Sequence, residues 1–216
     1  MKNHKSILAF AAGSLATVSI ALLIAAGPEH DAHKSGAMHE PETKLGDAPE
    51  MDMMAEMAKL ATPGEHHKAL GIMVGEWNAK TSFLMSADAP PMESTGKMTV
   101  KWVLGKRYLH SNMKIADFMG QPFEGIGYTG YDIAHKEYIS SWMDTMSTKI
   151  TVMTGGEEEG DALVMYGTST TSMGDNPMKI VTSFTDENTW VDTFYDKLPD
   201  SEWFQSGTIT YTRVID

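Results

Sequence analysis

Tyr138, Ser140, Trp142, Asp144 and Met146 alternate along one stretch of chain, so an extended strand places all five on a single face. If that face looks inward, Trp142 forms a wall and Asp144 a polar contact in a mostly apolar pocket, the usual composition of a small-ligand site. A lone ionised carboxylate buried there is costly, so Asp144 must pair, stay wet or take up a proton. The alternative leaves Trp142 as core and lets Asp144 close the following turn on the amide of Met146 or Ser147. A catalytic version uses Asp144 as acid or base with Arg107 or Tyr138 as electrostatic partner, and it requires those groups to converge within hydrogen-bond reach.

Other chemistries lack their residues. With no cysteine the chain has no thiol nucleophile, disulfide or thiolate metal site, and it contains no GxSxG, HExxH or P-loop motif. The spacing GxGxxG is present from Gly125 to Gly130, but no βαβ unit surrounds it, so it reads as architecture. Glycines alternating within a strand mark close approach by a large neighbour, for which Trp142 is the natural occupant. Lys and Arg number 17 against 29 Asp and Glu, and the net charge of −12 disfavours nucleic acid as a partner. No cofactor is implied. His30, His33 and His39 lie in a tract without preset geometry, which reads as a solvated spacer and not as a metal site. Met51, Met53, Met54 and Met57 are soft ligands by type, yet 18 methionines are spread through the chain, which favours methionine as general apolar filler.

The elements that would position these side chains follow from punctuation. Lys2 and Lys5 precede an uncharged, largely apolar stretch from Ser6 to Gly27, so residues 1–27 read as a signal peptide or a membrane anchor, with Ala25, Ala26 and Gly27 as small residues at a cleavage point. Residues 28–61 read as an acidic linker bearing His and Met, with a short helix on the stripe Met51, Met54, Met57 and Ala61. Thr62, Pro63, Gly64 and Glu65 predict a helix start with proline in the first turn, and His66 and His67 are expected to face solvent. After Gly75 no helical period remains. Runs rich in Thr, Val, Ile and aromatic residues predict ten strands near 77–86, 95–104, 107–117, 121–131, 136–145, 148–154, 161–170, 177–185, 189–196 and 202–213.

Ten close-spaced strands must curl to hide their edges, so residues 62–216 are expected to form an all-β, up-and-down antiparallel barrel. A two-residue turn at Gly105 and Lys106 would put Met98, Val100, Trp102, Leu104, Leu109, Ser111, Met113 and Ile115 on the inner face. His110 then lies outside opposite Lys101. Arg107 falls at the barrel mouth, as a rim residue or as a group recognising an anionic ligand.

Gly75-Glu76-Trp77 opening the first strand, with Arg213 in the last, resembles the calycin signature of lipocalins and their relatives. That resemblance implies that Arg213 lies over the Trp77 indole and ties the barrel's two ends. From Pro63 to Arg213 the chain also resembles the bacterial family catalogued as domain of unknown function 1579. The matching stretches are Pro63-Gly64-Glu65-His66, Ala89-Pro90-Pro91-Met92-Glu93-Ser94, Gly120-Gln121-Pro122-Phe123-Glu124-Gly125, Gly130-Tyr131-Asp132 and Trp142-Met143-Asp144-Thr145-Met146-Ser147-Thr148. The family implies a lipocalin-like barrel and carries no settled activity. A haem barrel resembling nitrobindin would need an axial ligand; no histidine follows His135, so His110, a Tyr or a Met would have to serve.

The leading expectation is an exported module, periplasmic or on the outer face of the cytoplasmic membrane and secreted if the signal is cleaved, that binds a small, largely apolar ligand without catalysis. Its candidate ligand residues are Trp102, Arg107, Tyr138, Trp142 and Asp144; Gly75, Trp77 and Arg213 are structural. An enzyme using Asp144, and a barrel filled by its own side chains, remain as alternatives. A continuous internal cavity of several hundred cubic ångströms distinguishes the binding module from the filled barrel.

Overall fold

The computed structural model describes residues 48–84, 89–157, 162–171, 174–198 and 201–215. The apolar segment at residues 6–27 and His30, His33 and His39 lie outside the described residues. Helix α1, Ala48–Ala61, occupies the predicted methionine stretch, and its Met53, Met54 and Met57 are exposed. It belongs to a unit separate from the one that follows.

That second unit opens with helix α2, Glu65–Ala69, continued by a 3-10 turn over Leu70–Met73. Ten strands follow: β1 Gly75–Phe83, β2 Met92–Val103, β3 Tyr108–Phe118, β4 Gln121–Asp132, β5 Glu137–Asp144, β6 Thr151–Glu157, β7 Leu163–Thr171, β8 Gly174–Asp186, β9 Thr189–Asp196 and β10 Phe204–Arg213. Each strand pairs antiparallel with its sequence neighbour, and β1 pairs with β10, so the meander closes into a ten-stranded barrel. The expected ends fall within three residues of these bounds, because Gly, Pro and Asx residues punctuate nearly every connection.

Period-two alternation turns Met98, Val100, Leu109, Met113 and Ile115 inward, where all five are buried. Lys101 pairs with His110 on the outer face, as the predicted register requires. The turn itself is longer than expected. Pairing stops at Val103 and Tyr108, and Leu104, Gly105 and Lys106 all take positive φ. Leu104 therefore leaves the sheet and is 71% exposed instead of facing inward.

The helix end also departs from expectation. Gly64, not Thr62, precedes the first helical residue, and its N–H donates to His67 Nδ1 at 3.2 Å. That bond draws His67 inward, where it is buried against the barrel end instead of facing solvent. Burial also lowers its basicity, with the charges of His66 and Arg107 acting in the same direction. His66 is exposed, but its ring stacks on Tyr131 at 4.1 Å, and its Nδ1 lies 3.3 Å from the Tyr138 hydroxyl.

The chain ends of the barrel are latched. Trp77 and Arg213 face each other in the β1–β10 register, and the guanidinium sits 4.1 Å from the indole centroid. Arg213 Nη1 donates to Val74 O and Nη2 to Ile72 O, each at 2.7 Å, while Nε and Nη2 reach Glu187 O. One cation thus joins the 3-10 turn, the first strand and the β8–β9 connection. Gly75 makes room: its φ is +144°, and a Cβ there would lie 2.6 Å from Arg213 Nη1. Trp77 Nε1 donates to Met73 O, and the buried Trp77 ring stacks on the buried Trp190 at 4.6 Å.

Candidate functional site

Closure of one end leaves the other to open inward. Met73 and the residues packed against it close the barrel beneath the 3-10 turn, at the end where β1 begins. From the opposite end, where β1 gives way to β2 and β5 to β6, a cavity of about 460 Å³ enters the barrel. Its walls are mostly apolar. Met98, Met113, Met153, Met165 and Met178 supply adaptable thioether surface, and Phe83, Phe194 and Trp142 supply rings. Leu84, Met92, Met119 and Lys149 lie toward the entrance, and Met119 is exposed. A larger depression on the outer face of β10 and β1–β4 is open to solvent, and its Lys80 and Lys114 are engaged with Glu93 and Glu124.

The inner face of β5 contributes Trp142 and Asp144 as the period-two pattern requires. Gly127 pairs with Trp142 and Gly125 with Asp144 across the β4–β5 ladder. The indole lies flat against these glycines: a Cβ on Gly125 would fall 2.2 Å from Trp142 Cζ2, and one on Gly127 would fall 2.8 Å from Cε3. Absence of two side chains on β4 is what allows the large ring of β5 to lie along the wall. Asp144 then does two things. Its Oδ2 accepts from Trp142 Nε1 at 2.9 Å, fixing the ring, and its Oδ1 accepts from the Met146 amide at 2.9 Å, closing the next turn. The two readings of this pair are therefore compatible: Asp144 closes the turn, and both residues line the cavity.

The remaining expected ligand residues sit at the far end. Tyr138 is the second residue of β5, is buried, and packs at 5.0 Å from Tyr131 and beside His66. Trp102 is half-buried near the end of β2, with its ring 3.8 Å from where a Cβ of Gly71 would sit. Arg107 is exposed, and its Nη1 donates to Leu104 O at 3.1 Å, bracing the turn that it ends. These three belong to the closed end under the 3-10 turn and α2, whereas Trp142 and Asp144 belong to the open cavity. His110 faces outward, tilted against Tyr128 at 5.1 Å.

Sequence reasoning missed the polar groups of the opposite wall. On β9 the inward positions run Trp190, Asp192, Phe194 and Asp196. Thr182 Oγ1 of β8 donates to Asp192 Oδ1 at 2.6 Å, and the Tyr211 hydroxyl of β10 also donates to this carboxyl group. Asp192 is half-buried and lines the cavity. Burial pushes its pKa up to about 6, against the opposing effect of the two donors. Burial, with the negative charge of Asp192, also raises the Tyr211 hydroxyl well above its usual range. Asp196, nearer the entrance, accepts from Ser169 Oγ at 2.9 Å. The signal was present in the alternation of residues 190–196, but aspartates interleaved with aromatic residues along one strand face ordinarily mark the solvent face.

Among the described residues no group of three His, Asp or Glu side chains is arranged to hold a metal ion, and no helix is long and apolar enough to cross a membrane.

No curated protein matches the chain. Among solved structures, Rv2717c from M. tuberculosis is similar at 13% identity, covering 71% of this chain and 100% of that one with a TM-score of 0.50, a likeness of fold alone. A redesigned β-barrel matches at 14% identity over 68% of this chain and 96% of its own, with a TM-score of 0.37. Residues 62–213, from the start of the latched end to the latching arginine, match the family described as "Protein of unknown function (DUF1579)", and the chain belongs to that family.

Proposed function

We propose that this protein is a non-catalytic binding module that takes a small, largely apolar ligand into the barrel. The observation that carries this reading is the open cavity of about 460 Å³, whose volume and apolar walls match those of small-molecule sites. Its methionines adapt to shape, and the Trp142 ring, held by Asp144, offers a rigid flat surface. Binding fits the site better than catalysis does. Both oxygens of Asp144 are already engaged, and Arg107 and Tyr138 lie at the closed end, away from it.

The finer placement belongs to the same proposal. The Gly75-x-Trp77 opening with Arg213 over the indole supports a calycin, lipocalin-like ancestry. The basic start and apolar stretch from Ser6 to Gly27 support export, with the barrel in the periplasm or held at the outer face of the cytoplasmic membrane.

Titration of the full chain with decanol, a neutral apolar probe, tests the binding reading. One-to-one saturation with a change in tryptophan emission is expected, and Trp142→Ala weakens it about tenfold, the loss of one large aromatic contact. No saturable binding by wild-type protein of decanol, nor of the same ten-carbon chain carrying an amine or a carboxylate, overturns the reading.

A further inference from the structure

The charged side chains of the cavity are mostly of one sign. Three carboxyl groups line it: Asp144 and Asp196 toward the entrance and Asp192 deeper. Each accepts hydrogen bonds from neutral donors, namely the Trp142 indole and Met146 amide, the Ser169 hydroxyl, and the Thr182 and Tyr211 hydroxyls. Among the described residues none of the three forms a salt bridge. Among the described residues Lys149 is the one cation that lines the cavity. Its Nζ donates to Thr168 O at 3.0 Å and to Thr170 Oγ1 at 2.5 Å, and it lies 4.0 Å from Asp175.

An apolar cavity so lined penalises any ligand that brings a negative charge. A fatty acid entering head first would set its carboxylate against Asp144 and Asp196 and then Asp192, three carboxyl groups against the one ammonium of Lys149 among the described residues. A positive head meets the opposite situation: the carboxyl groups form an acidic path inward, and the indole of Trp142 and the thioethers of the wall suit an alkylated ammonium. The chain's net charge of −12 adds a long-range attraction for cations.

We propose that the cavity selects an organic cation, an apolar body carrying one protonated amine or quaternary ammonium, and that Asp192 is the specificity-determining group that meets the charge. This rests on the reading of the cavity as a ligand site. Asp192 fits the part because it is held by donors from both flanking strands, so its carboxyl group is preorganised on the cavity wall. Burial also makes its own ionisation unfavourable in the empty barrel, and a cation beside it relieves that cost.

The test uses three probes with one ten-carbon body: decylamine, decanol and decanoate, titrated into the full-length protein at pH 7 and read by tryptophan emission, with native mass spectrometry for stoichiometry. Decylamine is expected to bind at least about tenfold tighter than decanol, with decanoate weakest. Asp192→Asn, which keeps the shape, leaves one carbonyl oxygen to accept and removes the charge, is expected to reduce the preference for decylamine over decanol to within about threefold. Decanoate binding as tightly as decylamine overturns the proposal. So does an amine preference untouched by Asp192→Asn. Saturable decanol binding in either of those outcomes leaves the broader reading intact, whereas failure of all three probes overturns both.

Discussion

At the scale of single residues, Asp192 and Trp142 show how a cavity wall can run against stability. A carboxyl group whose folded pKa is raised binds its proton more tightly in the native than in the unfolded chain. Its contribution is therefore most favourable below the ordinary aspartate range and is lost as pH rises toward about 6. Tyr211 from β10 and Thr182 from β8 face it and supply donors throughout that window. Asp192→Asn is expected to be more stable than wild type at pH 7 by up to about 3 kcal/mol and to converge with it near pH 4, as measured by denaturant unfolding at both values. Equal differences at the two pH values would contradict the burial argument. Trp142 makes the complementary case: Gly125→Ala drives a methyl group into its ring and is expected to cost about 1–3 kcal/mol, and Trp142→Ala in the same chain should recover part of that loss.

Residue-level legibility divided along the same line. The Trp142–glycine contact could be read in advance because large against small across neighbouring strands is a local, pairwise pattern. Asp192 could not, because its inward direction depends on the burial of Trp190 on a strand whose alternation carries polar residues on both faces. His67 was misread for a related reason. A short helix whose first amide is capped from within turns a polar ring toward the core, and that cap is invisible to periodicity.

At the scale of elements, the barrel depends on one seam. β1 and β10 are distant in sequence, and their pairing closes the longest loop in the domain. Arg213 reinforces that seam through the Trp77 ring and through carbonyls on the 3-10 turn and the β8–β9 connection. Arg213→Ala is expected to lower stability by about 2–4 kcal/mol, since it removes a cation–π contact and leaves several carbonyls short of a donor. Arg213→Lys should recover less than half of that, because an ammonium cannot serve the same carbonyls from over the indole. Unfolding curves for both variants decide this, and near wild-type stability for Arg213→Ala would show that strand pairing alone holds the seam. Strand positions were legible because turn residues bracket them. The Gly105 turn was legible in register but not in length, since three consecutive residues with positive φ pushed Leu104 out of the sheet.

At the scale of the whole molecule, charge, closure and cavity form one arrangement. A ten-stranded barrel is wide enough to leave space after its inner side chains are placed, and methionine in place of branched residues keeps that space deformable. Residues 62–216, which contain the family match and the complete ring of strands, are expected to unfold cooperatively at the same midpoint as the full chain. A shortened chain that fails to fold would assign the preceding residues a structural part. What the sequence could not convey was the state of the interior: the same inward-facing residues serve an open or a collapsed barrel, and only the register around the whole ring separates the two.

The central claim is that the barrel holds open space behind Trp142. Crystals of the full chain under pressurised xenon measure this directly, because xenon enters apolar cavities and scatters strongly. Ordered xenon inside the barrel, within contact of Met113, Met153 or the Trp142 ring, is the predicted result. Xenon confined to the outer surface, with the methionine side chains filling the interior, would contradict the account.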